Sequence, residues 1–484
     1  MNSVWQTLTL STLPLQRWLN ASWLHAPIGW LRDWRRGSWL MQWADWIGAG
    51  IALLVFAMAP FVNNVLTGLL LAACGAYWVL LSLTDDPVRS PALPSDADAL
   101  PAASPQWTTV LATPIHWLVG LYWTIAVVAT AMSPVQREAL VGLQKLSLYL
   151  VFFFLLARIL RSPRLRSLII TVFLLTSLAV SVYGIQQWFM GTDALATWVD
   201  PESPLSKTTR VYSYLGNPNL LAGYLVPAVV FSLMAIFAWR GWMCKALAVV
   251  MTAVNGACLM LTFSRGGWIG LVFALLVLLL LMAHWLSVYL PRFWRTWALP
   301  IVLGTATAVI VAAVIVVEPL RDRVSSIFAG RGDSSNNFRI NVWLSVIEMI
   351  QDRPVLGIGP GNSAFNKIYP VYQRPRFSAL SAYSVWLEVA VETGVIGLAC
   401  FLGLLVVTLS NGWTALNRLR DTRDREGFWL MGAIASLIGM LGHGTVDTVL
   451  YRPEVNTLWW LMFAIIASYY AVAVPSLPSD SAAD

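Results

Sequence analysis

The chain has 484 residues, 58% of them hydrophobic and only 11% charged, with a formal net charge of +7 and a pI near 9.3. That balance excludes an ordinary soluble domain. The basic residues are scattered through short segments between apolar runs and form no single stripe, so the charge gives no reason to invoke a nucleic-acid partner. The runs recur at a length of about 20 residues, enough for a helix to cross a bilayer, and they are continuous rather than alternating, which rules out strands as the spanning element. The expected fold is an all-α, polytopic integral membrane protein with about 12 transmembrane helices and a large outer loop, its first partner being the lipid bilayer.

In chain order, residues 1–42 read as an interfacial segment. Trp5, Trp18, Trp23, Trp30, Trp34 and Trp39 alternate there with Arg17, Arg32, Arg35 and Arg36, a mixture suited to the headgroup layer, and no cleavage pattern follows an apolar core. Membrane helices are expected at 43–60, 64–83, 109–132, 140–160, 167–189, 219–239, 243–263, 268–290 and 298–317, then at 385–409, 429–450 and 458–475. The Pro-, Ala-, Ser- and Asp-rich stretch 84–108 is a linker without chemistry, 318–384 is the large extracytoplasmic loop, and 476–484 is a tail. Cys74, Cys244, Cys258 and Cys400 lie in or beside apolar runs without paired spacing, so neither a disulfide framework, a metal site nor a cofactor is expected.

Lys and Arg fix an orientation. With the N-terminus in the cytoplasm, the inner segments hold Arg32, Arg35, Arg36, Arg158, Arg161, Arg164, Arg166, Arg240, Lys245, Arg418, Arg420, Arg423 and Arg425 among others, whereas the short outer loops hold only Arg137, Lys207, Arg210, Arg265 and Arg452. This positive-inside bias places both termini in the cytoplasm, and it puts Arg210, Arg265 and residues 318–384 on the outer side.

Two stretches carry the functional reading. From Arg210 the chain runs through Gly216-Asn217-Pro218-Asn219 into an apolar helix. Asn217 is a natural N-cap, Pro218 suits the first helical position, and helix N-termini attract anions. The second stretch, Thr262-Phe263-Ser264-Arg265-Gly266-Gly267, joins two apolar runs almost without a polar linker, so Arg265 must sit at a membrane boundary or in a cavity. Both are expected to face one outward cavity.

Together these stretches resemble the signatures of the O-antigen ligase and polymerase superfamily of bacterial membrane proteins. Within it, they are most similar to the cyanobacterial branch named for inorganic carbon transport. The resemblance runs from about Leu140 to Val472. It implies a bacterial inner-membrane protein in which Arg210 and Arg265 neutralise an anion. In the ligases that anion is the pyrophosphate of a polyprenyl-linked glycan, and in the transport branch it is bicarbonate. The ligase pattern also carries a His in the outer loop, about nine residues before Glu-x-Gly, suited to act as general base. Here Glu392-Thr393-Gly394 supplies the Glu-x-Gly, and the matching position is Tyr383, followed by Ser384. Tyr titrates near pH 10 and is a poor base at neutrality. The expectation is therefore bicarbonate accumulation or transport through an anion site of Arg210, Asn217, Asn219, Arg265 and Glu392. The alternative is a glycosyl-transferring enzyme using Glu392 or His443 as replacement base.

Other ionisable residues leave two readings each. Glu388 and Glu392, four apart, share a helix face and either form a structural salt bridge with the arginines or gate the site. His443 and Asp447 stand one turn apart in the eleventh expected helix, as a hydrogen-bonded helix end or as a proton relay. Lys145, in the fourth, needs an acid or a cavity. In the outer loop, Ser334, Ser335 or Asn336 is expected to cap a helix beginning near Asn337. Gly357-Ile358-Gly359-Pro360-Gly361 reads as a tight turn over the cavity mouth, and Tyr369, Tyr372, Arg374 and Arg376 form a solvated rim.

Overall fold

A computed structural model of the protein describes residues 27–85, 107–108, 113–191, 210–289, 291–316, 321, 325 and 330–473. Trp5, Trp18, Trp23, Arg17 and Lys207, most of the 84–108 linker, residues 318–329 apart from Arg321 and Ser325, and the 476–484 tail lie outside them.

The bundle is built from α1 (Ala44–Met58), α2 (Asn64–Leu83), α3 (Pro114–Ala131), α4 (Gln136–Ile159), α5 (Pro163–Met190), α6 (Pro218–Ala238), α7 (Trp242–Leu261), α8 (Arg265–Leu286) and α9 (Arg292–Val316). After α10 (Ser334–Asp352) and α11 (Asn362–Tyr372) it resumes with α12 (Val385–Asp421), α13 (Glu426–Gly444) and α14 (Pro453–Ser468). Among the described residues, 10 helices are long and apolar enough to cross a bilayer. The other two expected spans appear as α9, of 25 residues, and α14, of 16. The chain is a multi-pass α-helical membrane protein. A two-residue β pairing of Trp107–Thr108 with Val472–Ala473 is the one ladder among the described residues.

Local sequence explains the helix starts. Pro occupies the first position of α3, α5, α6 and α14, where its missing N–H costs nothing. The side chains of Asn63, Asn217, Ser264 and Asp333 cap α2, α6, α8 and α10 by accepting first-turn N–H groups.

Helices α6 and α13 form the centre, each with 83% of its most apolar window buried. Small residues set the contact of α8 with α13: a Cβ on Gly270 would stand 2.6 Å from the Gly439 carbonyl oxygen. Close backbone approach of this kind drives helix association where there is no water to expel. Asn255 of α7 adds polar glue. It accepts from Ser181 of α5 at 2.7 Å and donates to Ser232 of α6 at 3.2 Å.

At one end of the bundle Asp85 pairs with Arg158 and Arg35, and Arg166 pairs with Glu426. The opposite end carries α10 and α11. They bury Val342, Val346, Met349, Phe365 and Tyr369 in a small core of their own and dock through main-chain contacts. Ser133 donates to the Ile358 carbonyl at 2.6 Å, and the N–H groups of Ile358, Gly359 and Val395 donate to the carbonyls of Val391, Glu392 and Pro354.

The structure corrects several expected boundaries. Helix α12 is broken at Gly394, whose φ of 66° is open to glycine and whose missing Cβ would lie 2.1 Å from the Val355 carbonyl oxygen. Helix α13 ends at Gly444, so Asp447 lies beyond it rather than on it. Asp333 caps α10, instead of Ser334, Ser335 or Asn336. Tyr369 is stacked on Phe365 in the small core, Tyr372 donates to Asp352, and Arg374 pairs with Glu348, so the expected rim is partly interior.

Helix starts and ends place Arg210, Arg265 and residues 330–384 at one end and Cys244 at the other. In intact cells, a Ser378→Cys variant is expected to react with an impermeant thiol reagent while the native Cys244 reacts only after permeabilisation. The reverse pattern would invert the orientation read from Lys and Arg.

Candidate functional site

Two turns set the site. Gly216, with φ 68°, reverses the chain before α6, and Asn217 accepts from the Asn219 N–H at 2.8 Å. Arg210 is pinned alongside the end of α7: the Val211 N–H donates to the Leu261 carbonyl, and the Arg210 Nε donates to the Thr262 carbonyl at 3.0 Å. Between α7 and α8 the reversal falls on Phe263, with φ 50°, a conformation costly for an aromatic residue. Ser264 then caps α8, and Arg265 becomes its first residue.

These turns bring Arg210 and Arg265 to one cavity of about 240 Å³, lined also by Asn219, Gly266, Ser335, Asn336 and Arg339. Ile269, Ile340, Trp343 and Val446 supply an apolar wall. Each guanidinium has a fixed partner. Arg210 donates to Asn219 Oδ1 at 3.2 Å, Arg265 to Asp333 Oδ1 at 2.9 Å and Arg339 to Ser335 Oγ at 2.6 Å. Arg339 also stands 3.7 Å from Asp447, which accepts from Asn219 Nδ2 at 2.7 Å. Burial, reinforced by Arg339 and Arg265, pulls the Arg210 pKa down to about 10, so the group stays charged at neutral pH. Arg265 is 7% exposed, a depth at which a charge is held only with partners.

The first turns of three helices, α6, α8 and α10, also meet here, through Asn219, Arg265 with Gly266, and Ser335 with Asn336. The dipoles of these helix ends have the same sign as the guanidiniums. The cavity therefore offers three cations, three positive helix ends and planar forks suited to phosphate oxygens.

Not every expected residue joins this cavity. Asn217 acts as the cap behind it. Glu392 faces a second cavity of about 300 Å³ together with Glu388 and Lys145. Neither glutamate pairs with Arg210 or Arg265, which corrects the expected salt bridge. Glu392 accepts from the Gly361 N–H at 2.7 Å, and Glu388 from the Ala382 N–H at 2.7 Å. The Gly357–Gly361 turn correspondingly borders this second cavity. His443 is fully buried beneath Gly266, where an added Cβ would lie 2.9 Å from Nε2. Neither of its ring nitrogens has a hydrogen-bond partner among the described residues. Asp447 turns instead to Asn219 and Arg339, so no hydrogen bond links the pair expected as a relay.

Tyr383 is held near the arginine cavity, its carbonyl accepting from Trp343 Nε1 at 3.3 Å and its ring edge-on to Phe338. Burial, assisted by Asp447 and Tyr451, pushes its hydroxyl up to about 12.

Arg339 and Asp333 were missed in the sequence. A signal existed for both. Asp333 directly precedes a Ser-Ser-Asn-Asn helix start, and Arg339 follows Ser335 by four residues and so shares its face. Among the described residues no group of three or more His, Cys, Asp or Glu is arranged to hold a metal ion.

Fold and site define a multi-pass membrane protein with a cationic cavity at one end of its bundle. The O-antigen ligase family model matches residues 246–402, a span that includes Arg265, Arg339, Tyr383 and Glu392 and leaves Arg210 outside. No curated protein matches the chain.

Replacing Asp333 by Asn keeps a competent cap and removes the charge paired with Arg265. Affinity for inorganic pyrophosphate, measured by calorimetry on protein in nanodiscs, is expected to rise about fivefold, on the order of 1 kcal/mol. Between pH 6 and 10 the affinity of a Tyr383→Phe variant is expected to follow that of the wild type, because a hydroxyl titrating near 12 carries no charge change in that window.

Proposed function

We propose that the arginine cavity binds the pyrophosphate of a polyprenyl-linked saccharide and that the protein acts as an O-antigen ligase-type transferase of a bacterial inner membrane. The observation that carries this reading is the convergence of Arg210, Arg265 and Arg339 on one cavity with three helix N-termini. A diphosphate presents enough charge and enough oxygens to engage several guanidinium forks, whereas a singly charged anion needs fewer. The family match over residues 246–402 supports the same assignment.

In the transfer, an acceptor hydroxyl attacks the anomeric carbon. The bond from that carbon to the pyrophosphate oxygen breaks, and its electron pair leaves on the pyrophosphate, where the arginines stabilise the growing charge. Stabilisation of this kind is commonly the largest catalytic contribution. The acceptor's proton passes to the departing pyrophosphate, since phosphate groups with a second pKa of about 6 can take it and Tyr383 stays protonated. Among the described residues no base is positioned beside the cavity, which costs about 10² to 10⁴ in rate and makes a slow transferase.

The second reading is bicarbonate accumulation or transport, in keeping with the resemblance to the inorganic carbon branch. What favours it is Tyr383 at the position of the ligases' base, which leaves the cations without a partner in acid–base chemistry. Purified protein in liposomes separates the two. The first reading expects consumption of polyprenyl-pyrophosphate glycan, loss of at least about a hundredfold with Arg210→Ala or Arg265→Ala, and a rate gain with Tyr383→His. Bicarbonate uptake without any glycan transfer, and no response to Tyr383→His, establishes the second.

A further inference from the structure

The second cavity has no role in the reading above, and two oppositely charged side chains line it without counter-ions. It lies at the same end of the bundle, between α4, the Gly361–Ser363 turn and the starts of α12 and α14. Lys145 lines it from within α4. It is exposed and makes no ion pair or side-chain hydrogen bond among the described residues. Glu392 lines it from α12 and is half-buried. Its Oε1 accepts from the Gly361 N–H at 2.7 Å, while its Oε2 has no partner among the described residues and is not sealed in the core. The other charges nearby are already matched or turned away. Arg452 pairs with Glu454 at 3.3 Å. Glu388 turns inward: Oε2 accepts from the Ala382 N–H at 2.7 Å, and Oε1 has almost no accessible surface.

An ionisable group in a spanning helix is costly unless a partner or a polar space receives it. Lys145 and Glu392 share such a space and no ion pair joins them. An anion alone would leave Glu392 unmatched, and a cation alone would leave Lys145 unmatched. The ligand that satisfies both carries one charge of each sign. The mouth of the cavity indicates where that ligand comes from. Asn64 lines it at the start of α2, and the next residues of that helix, Val65, Leu66 and Leu69, are 72%, 41% and 62% exposed. On α4, Val141 stands one turn from Lys145 on the same face and is also exposed. In a membrane protein these apolar side chains meet hydrocarbon. Tyr149, Trp459 and Trp460 add an aromatic wall, of the kind found at headgroup level. A dipolar head beside hydrocarbon describes a zwitterionic phospholipid. A primary ammonium head can donate hydrogen bonds to Glu392, and a quaternary one cannot. The volume of about 300 Å³ suits the head alone, being at the lower end of small-molecule pockets.

We propose that the second cavity seats the headgroup of a phosphatidylethanolamine, its phosphate on Lys145 and its ammonium on Glu392, with the acyl chains lying outward along α2 and α4. The proposal rests on the membrane fold and is independent of what the arginine cavity binds.

Native mass spectrometry of the purified full chain in detergent tests it, by titration with short-chain phosphatidylethanolamine, phosphatidylcholine and phosphatidylglycerol, and with free phosphoethanolamine. Phosphatidylethanolamine is expected to add one saturable equivalent, about tenfold tighter than either other lipid, because each of those loses the charged hydrogen bond to Glu392. Free phosphoethanolamine, without chains, is expected to bind more weakly than the lipid. Lys145→Met alters an exposed residue that no bond ties to the fold, and it should weaken phosphatidylethanolamine about tenfold. Glu392→Gln keeps an oxygen for the Gly361 N–H and removes the charge, and it should abolish the preference over phosphatidylglycerol. If Glu392→Gln lowers the melting temperature, Lys145→Met decides. No saturable equivalent, equal affinity for the three lipids, or phosphatidylethanolamine binding undiminished in Lys145→Met overturns the proposal. Free phosphoethanolamine binding as tightly as the lipid overturns it in favour of a soluble zwitterion.

Discussion

Three guanidinium groups that repel one another share a single cavity, and much of this end of the protein keeps them there. Two unit charges about 8 Å apart in surroundings of effective dielectric about 20 repel by about 2 kcal/mol. Asp333 and Asp447 offset part of that repulsion, and both are placed by backbone rather than by chance packing. Asp333 is tied to its position as the cap of α10. Asp447 is brought within reach because α13 stops at Gly444, which frees the following residues to turn toward Asn219. The helix N-termini add positive character instead of relieving it. With two carboxylates beside three guanidiniums the cavity keeps a net positive character, which the helix dipoles reinforce.

Much of the bundle was legible in the sequence because membrane helices announce themselves through length and continuous apolarity, a signal that packing seldom overrides. The approach of Arg210 to Arg265 was legible for a related reason. Arg265 stands at a helix start and Arg210 in the segment leading to another, on the same side of a two-sided solvent, so topology alone brought them to one end. What the sequence did not reveal depends on distances within that end. Glu392 and Arg265 shared a side, but Gly394 bends the chain so that Glu392 caps the Gly361 turn. Arg339 lies on an amphipathic helix outside the membrane, where its spacing from Ser335 marks a shared face but nothing marks that face as buried. His443 and Asp447 were paired by a spacing of four, which holds only on a continuous helix, and the helix ends between them.

The two cavities share one thin wall. Residues Thr445–Thr448 contribute Val446 to the arginine side and Thr448 to the side of Glu388, and Asp447 between them binds Asn219 and Arg339. A shift of this short connection alters both spaces together. It follows three consecutive small or polar residues, Gly442, His443 and Gly444, against which Phe273 and Val385 pack. The buried His443 lies at the foot of this wall, and neither of its ring nitrogens has a hydrogen-bond partner among the described residues.

The break at Gly394 has a mechanical consequence. The loop bearing α10 and α11 is stitched to the helix on both sides of that residue, with Ile358 and Gly359 donating to Val391 and Glu392 before it and Val395 donating to Pro354 after it. Main-chain bonds in these positions leave the loop no free edge about which to swing open. The segment bearing α10 and α11 is therefore held over this end of the bundle by main-chain bonds to α12. On the ligase-type reading, a carrier with a long hydrocarbon tail would reach this cavity along the plane of the bilayer. On that reading access to the site is a two-dimensional problem, governed by the concentration of carrier within the membrane rather than in the surrounding water.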